Sequence, residues 1–494
     1  MNKRQFLRGS ATAAVLSVLP FRLLAQQRPV PPRKRLNLLF ITADDLDESI
    51  PGYISGVKGL TPNLDALAAR SHRFLRNRTV APICMPSREA FMSGLLPHHS
   101  GGTGFIAMNE GTPTLTTVLQ AEGYYTAAIH KVDHMLPQSS FPWDYIQQSK
   151  VRSTRVHAEG LTTAIAEARG ASKPFFVQCN INDPHRPFYG SVQAAKVDHD
   201  DQGPFKIERE VQPAEVIVPP MLDDLPEIRT ELAQYWNSAQ RLDLAVGEIL
   251  KALDRSGEAE NTAIIFCNDH GMPFPFAKAT CYDYGTRQPF LLSWPGMAAP
   301  RAYETLTSSV DLLPTLLELL GAPLPEKLDG RSLLPLILGK TVEQPEFQFT
   351  YVNQVSSGMA YPMRAIQDRR YALLFSPWSD GKLAFRNESM SGLTFPAMKK
   401  AAETDPAMAA RVRQLVEGIP LAFYDVQADP GQRHNVIAQP RFKARVERMK
   451  LRLLQEMQRT GDPELANYQV TLAGGRAVVP QDPAKYRLKN GGDG

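Results

Sequence analysis

The stretch LNLLFITADD runs from Leu36 to Asp45. Its first seven residues, LNLLFIT, form a short apolar run that stops at a polar turn, the pattern of a buried strand. Three further runs repeat it: TAAIH (Thr126 to His130), FFVQCNI (Phe175 to Ile181) and TAIIFCN (Thr262 to Asn268). Helical patterns lie between them. TPNLDALAARS is one, and ELAQYWNSAQRLDLAVGEILKALDRSG is another. The second sets Leu242, Val246, Ile249, Leu250 and Leu253 at helical spacing and stops at Gly257. Strands alternating with helices predict an α/β fold with a mostly parallel sheet covered on both faces.

In such sheets sites gather at the carboxyl ends of the strands. Asp44 and Asp45 follow the first run. Lys131, Asp133 and His134 follow the second. Asp183, His185 and Arg186 follow the third. Asp269, His270 and, further on, Lys278 follow the fourth. One polar loop after a strand is common; four loops rich in ionisable groups point to a site.

At 494 residues the chain has room for two to three domains of ordinary size. A net charge of +4 is too mild to point to nucleic acid, and the arginines and lysines between Arg441 and Arg452 read as the wet face of a helix. The N-terminus reads as an export signal over residues 1–25. It has a basic start (Lys3, Arg4, Arg8), a short apolar run and then Ala25. KRQFLRG is similar to a twin-arginine signal with Lys3 in the first arginine position, and an ordinary secretory signal stays open beside it. No other apolar run reaches membrane-spanning length. The expectation is an exported protein, periplasmic or secreted, that does not span a membrane. A main region over 26–345 is expected, then a proline-containing stretch around Pro323 to Pro345. A smaller C-terminal subdomain over 346–494 follows, in which FQFTYVNQ, MRAIQDRRYALLFS and LAFYDVQADP read as antiparallel strands before a helix from about Arg441 to Gln458.

Four cysteines with no C-x-x-C pair are neither a disulfide framework nor a structural zinc site. Cys179 and Cys267 read as core, and Cys281 as a loop thiol, free or paired. Cys84 is different. It stands in VAPICMPSREAFMSG (Val80 to Gly94), among Pro, Ser, Arg and Glu. A structural thiol prefers an apolar neighbourhood. A phosphatase-type thiolate loop would need an arginine six positions on, whereas Arg88 is four on.

CMPSR resembles the sulfatase signature C-x-P-S-R, whose cysteine an enzyme oxidises to formylglycine before the chain folds. Gly94 and FMSG fit the longer form. The likeness extends along the chain. ITADD resembles the first metal-binding motif of sulfatases. HKVDH is similar to their lysine-and-histidine motif, with an iduronate 2-sulfatase-like spacing. NDPHRPF, NDHGMPFPFAK, YPMRAIQDRRY and FYDVQADPGQRHNV resemble segments of the heparan N-sulfatase branch.

The resemblance implies an alkaline-phosphatase-like sulfatase fold and removal of sulfate from a sulfated glycan. N-sulfoglucosamine of heparan or heparin fragments leads; an O-sulfated uronate, glucosamine or other polysaccharide is the alternative. A hydrated aldehyde at position 84 has one hydroxyl to attack sulfur and a second to expel sulfate afterwards. By the same resemblance Asp44, Asp45, Asp269, His270 and the modified Cys84 hold Ca2+. Arg88 holds the aldehyde, Lys131 and Lys278 neutralise sulfate, His134 bonds the diol, and His185 protonates the leaving group. Asp183 and Arg186 are expected to bind the sugar. His98 and His99 read as surface. The implied partners are the sulfated saccharide and a formylglycine-generating maturation enzyme; oligomeric state stays open. Two further readings remain: a phosphodiesterase of the same superfamily, against which Cys84 argues, and an unmodified glycan-binding protein.

Overall fold

The structure, a computed structural model, describes residues 35–149, 152–194, 199–200 and 206–481. The expected export signal lies outside the described residues. No helix among the described residues is long and apolar enough to cross a membrane.

Eight strands build the main sheet. They are β1 (Asn37–Asp44), β2 (His72–Phe74), β3 (Tyr125–Ile129), β4 (Tyr145–Gln147), β5 (Phe175–Pro184), β6 (Thr262–Asn268), β7 (Phe290–Ser293) and β8 (Ala302–Tyr303), in the spatial order β8-β2-β7-β6-β1-β5-β3-β4. The five from β6 to β4 run parallel. β7 is antiparallel to both neighbours, so the sheet is mixed at one side. The central register sets Ile41 of β1 between Cys179 of β5 and Phe266 of β6.

Side chains alternate across a strand, and β1 divides its apolar residues accordingly. Leu39 and Ile41 enter one core with Val177, Cys179 and Phe266; Leu38 and Phe40 enter the other with Phe176 and Ile265. The first core is closed by α4 (Val156–Gly170) and the long α5 (Pro226–Ser256). α5 carries the spacing read from the sequence and ends at Gly257, whose φ of 75° suits a glycine cap. Among the helices earlier in the chain are α1 (Pro62–Ala69), α2 (Cys84–Ser93) and α3 (Leu115–Ala121). On the opposite face α2, α3 and α6 (Leu312–Leu320) supply Phe91, Leu115, Leu119, Leu312 and Leu316.

The predicted C-terminal strands form a four-stranded antiparallel sheet of β9 (Gln348–Gln354), β10 (Ala360–Gln367), β11 (Tyr371–Phe375) and β12 (Leu421–Asp425). One face packs Ile366, Leu373 and Phe423 under the helix Lys443–Thr460 through Val446, Met449 and Leu453. The other face gives Met363, Leu374 and Tyr424 to the first core of the main sheet. Between β11 and β12 the chain leaves this sheet. It forms α7 (Thr394–Ala401), which packs on α5, and α8 (Pro406–Val416). This excursion carries residues to the carboxyl ends of the main strands.

Candidate functional site

β1 ends in two adjacent carboxylates. In a continuing strand they would point to opposite faces. Asp45 has φ 67°, the left-handed region, and this breaks the alternation so that both enter one site. Such a backbone is costly for a residue with a side chain and persists where its surroundings hold it. Here the Asp45 N–H donates to Asp269 Oδ1 at 3.0 Å, and its carbonyl accepts from the Tyr235 hydroxyl at 2.8 Å. The loops after β3 and β6 use the same device: His130 and Lys131 have φ 63° and 53°, and Phe276 and Ala279, flanking Lys278, have φ 66° and 63°.

Cys84 opens α2 and is only 2% exposed. Its polar sequence neighbours thus belong to a buried helix start. Its Sγ lies 3.5 Å from Asp44 Oδ1 and 3.3 Å from His270 Nε2. Burial pushes the thiol well above its usual range, against the pull of Lys278. Four residues on, Arg88 lies one helical turn along and fully buried. Its guanidinium meets Asp269 Oδ2 at 3.2 Å, Asn180 Oδ1 at 2.9 Å and Thr42 Oγ at 3.1 Å. Asn180 also accepts from Thr42 and donates to the His130 carbonyl, which ties the loops after β1 and β3 together.

The carboxylates gather cations. Lys131 Nζ is 2.5 Å from Asp44 Oδ2, and Lys278 Nζ is 3.0 Å from Asp45. Burial opposes ionisation of Asp44, but Lys131, His185, Arg88 and Lys278 outweigh it and hold that carboxyl well below its usual range. At Asp45 burial wins and the pKa rises. Asp44, Cys84, Asp269 and His270 each offer a donor atom within 4.8 Å of the others, and Asp44, Asp45 and His185 form a second such group. Asp44 Oδ2 and Asp45 Oδ1 are buried, and the cations that face them are the Lys131 and Lys278 ammoniums. His270 Nδ1 lies 3.0 Å from the Gly271 carbonyl. A carbonyl only accepts, so Nδ1 carries a proton, and Nε2 is the ring atom that faces the cluster. These donors fit a divalent cation.

On the open side, His134 Nδ1 is 3.2 Å from Asp133, and burial together with Lys131 pushes its pKa down to about 4. His185, 22% exposed, has Nδ1 at 2.7 Å from the Arg186 carbonyl and Nε2 at 3.1 Å from Glu388. Both partners accept, an arrangement that the doubly protonated ring satisfies.

Two sequence expectations meet different geometry. The Asp183 carboxylate, expected to accept from sugar hydroxyls, takes a bidentate pair from Arg241 at 2.7 and 2.7 Å, with Arg152 at 3.4 Å. It anchors β5 to α5. The Arg186 guanidinium, expected at a carboxylate or sulfate of the substrate, pairs with Glu231, donates to the Pro273 carbonyl at 3.0 Å and lies over Phe188 at 4.3 Å. Of the YPMR segment, Arg364 is buried in a pair with Asp462 at 2.5 Å, holding the C-terminal sheet rather than the site. His98 is half-buried against Tyr351, and His99 bridges Asp329 and the Thr460 carbonyl, so this pair fastens the helix Lys443–Thr460. Cys281 is buried and free, as are the other three cysteines.

Glu388 was not read from the sequence. It ion-pairs with both Lys278 (3.0 Å) and His185 (3.1 Å) from the excursion between β11 and β12. Its segment has no strand pattern and lies 110 residues after Lys278 (388 minus 278), so nothing local announces it. Asn180 was also missed; its signal is an amide near the end of an otherwise apolar run.

A profile described as sulfatase matches residues 36–322, and one described as N-sulphoglucosamine sulphohydrolase, C-terminal, matches residues 269–380. Human N-sulphoglucosamine sulphohydrolase is 28% identical over 466 residues, covering 86% of this chain and 91% of that protein. An ulvan-active sulfatase of Formosa agariphila is 28% identical over 435 residues, covering 86% of this chain and 80% of that protein. A solved 2-O GAG sulfatase superposes with a TM-score of 0.63 at 19% identity, over 91% of this chain and 95% of that one.

Proposed function

This chain belongs to the sulfatase family and hydrolyses sulfate esters or sulfamates; from that premise we propose that it removes sulfate from N-sulfoglucosamine at an end of a heparan-type fragment. The observation that carries the reading is the convergence of three carboxylates, His270 and three cations on Cys84 at the strand ends. The sugar assignment draws support from the N-sulphoglucosamine sulphohydrolase likeness, which covers both the main and the C-terminal regions. We further propose export, from the basic-then-apolar N-terminus.

Asp44, Asp45, Asp269 and His270 would hold calcium, which would draw charge from the sulfate oxygens. A hydrated aldehyde at position 84 would supply the attacking oxygen and a second hydroxyl for sulfate release. Arg88, fixed on three sides by Asp269, Asn180 and Thr42, keeps position 84 in place. Lys131 and Lys278 turn from their carboxylates toward the sulfate oxygens. His134, neutral at physiological pH, can accept from the diol. His185 carries a proton on Nε2 toward the open cavity and donates it to the leaving nitrogen. Asp44, Asp45, Arg88, Asp269 and His270 are fully buried, while Lys131, His134 and His185 lie on the open side.

The test is sulfate release from N-sulfoglucosamine, glucosamine 6-sulfate and a 2-O-sulfated uronate disaccharide by protein coexpressed with a maturation enzyme. The expected result is release from the first, abolished by chelation, with the Cys84 peptide lighter by about 18 Da. Release from an O-sulfated sugar alone overturns the sugar assignment; full activity with an unmodified thiol overturns the maturation. A second reading, an O-sulfatase on another sulfated polysaccharide, draws support from the ulvan-active relative.

A further inference from the structure

A cavity of about 390 Å³ opens beside His185 and is lined in part by Arg186, Glu231, Glu388 and Gln234. That volume suits a small organic ligand. Its charges are arranged against expectation. Lys278 and His185 face the place where a sulfate must sit, and Glu388 stands between them. A carboxylate there weakens the pull on any anion. The other charged groups of this wall are satisfied within the protein. Glu231, with its side chain 2% exposed, holds Arg186 and accepts from the Thr394 N–H at 2.7 Å. The Glu388 side chain is 31% exposed.

The position of Glu388 is built. Asn387 Nδ2 donates to the Lys278 carbonyl at 2.8 Å, Ser389 Oγ to Asn387 Oδ1 at 2.6 Å, and Ser391 Oγ to the Glu388 carbonyl at 2.7 Å. Four residues on, Gly392 lets the loop lie against Glu231, where a Cβ would overlap that carboxylate. Burial opposes ionisation of Glu388, but Lys278 and His185 outweigh it and keep the side chain charged.

A fixed anion beside a sulfate site helps when the ligand brings a donor or a positive charge to that spot. We propose that Glu388 is a specificity residue that selects amino sugars, accepting from the sulfamate N–H of the substrate and pairing with the ammonium of the glucosamine product. A uronate would place its own carboxylate against Glu388, and a plain hydroxyl sugar would bring no charge. The proposal rests on the N-sulfoglucosamine reading above and names the residue that enforces it.

The experiment titrates the holoenzyme calorimetrically with D-glucosamine and with D-glucose, at a pH where glucosamine is cationic. Sulfate release from N-sulfoglucosamine is measured in parallel. The parent is expected to bind glucosamine about tenfold tighter than glucose, or about 1.4 kcal/mol. Glu388→Gln should bring the ratio near unity, and Glu388→Asp should keep part of it. A role limited to holding Lys278 and His185 would weaken both sugars alike. A ratio unchanged in Glu388→Gln, or no preference in the parent, therefore overturns the proposal. Where thermal melting shows Glu388→Gln unfolded, salt decides on the parent: screening must erode the glucosamine preference, and its persistence at high salt overturns the proposal. Glucosamine preference that depends on Glu388, without sulfate release from N-sulfoglucosamine, overturns the substrate reading and leaves the recognition standing.

Discussion

Asp44 and Asp45 are neighbours in sequence, and one backbone angle lets them share a site. Around them four carboxylates (Asp44, Asp45, Asp269, Glu388) face three permanent cations (Arg88, Lys131, Lys278). Removing one carboxylate takes one donor from the proposed metal site while the apolar cores on both faces of the sheet stay intact. Asp44→Ala is expected to abolish calcium binding by calorimetry and to lower sulfate release by more than about 100-fold, since even groups behind metal ligands cost 10- to 100-fold. Its melting temperature should stay near the parent's. A variant that binds calcium normally would remove Asp44 from the site. The acids and imidazoles that converge here were legible because each follows a strand. Their partners were not. Asp183 and Arg186 follow a strand too, yet Arg241 and Glu231, both on α5, occupy them. A side chain's neighbour across the fold is invisible to local spacing.

At the scale of elements, the 31-residue α5 is clamped to β5 by the Arg241–Asp183 pair. Arg241 is buried, so its removal takes a bidentate cation from a buried carboxylate that Arg152 reaches only at 3.4 Å. Arg241→Met should cost about 3–5 kcal/mol, the scale for breaking a buried pair from one side, and should lower the midpoint of urea unfolding. Because β5 leads directly to His185, sulfate release should fall as well. An unchanged midpoint would mean the clamp carries little. The runs of β1, β3, β5 and β6 stood out because strands buried on both faces are apolar throughout. β2 and β8 did not, being three and two residues long. α7 and α8 interrupt what reads as one C-terminal sheet, and only tertiary packing shows where they go.

Across the whole molecule, the two sheets meet at Asp283. Its carboxylate pairs with Arg287 at 2.7 Å and Arg78 at 3.2 Å, and it accepts from Gln367 at the end of β10 at 2.8 Å. Burial raises its pKa, but Arg287 and Arg78 outweigh this and hold it below the ordinary value of 3.8. A depressed folded pKa means a contribution to stability that is complete above the unfolded value and lost as pH falls through the folded one. Asp283→Asn should therefore lose about 3 kcal/mol at pH 7. The gap from the parent should close in the acid range below the unfolded pKa of 3.8. Thermal melts across pH check this; a gap independent of pH would assign the loss to packing.

The depth of Cys84 has a consequence in time. Under the proposed maturation, no enzyme reaches a side chain that is 2% exposed at the start of a packed helix. The modification and the folding of α2 then compete for the same brief interval after synthesis, and a chain that folds first is closed to repair. The active fraction of a preparation would record the outcome of that race, and slowing translation or folding would raise it where adding maturation enzyme to finished protein would not.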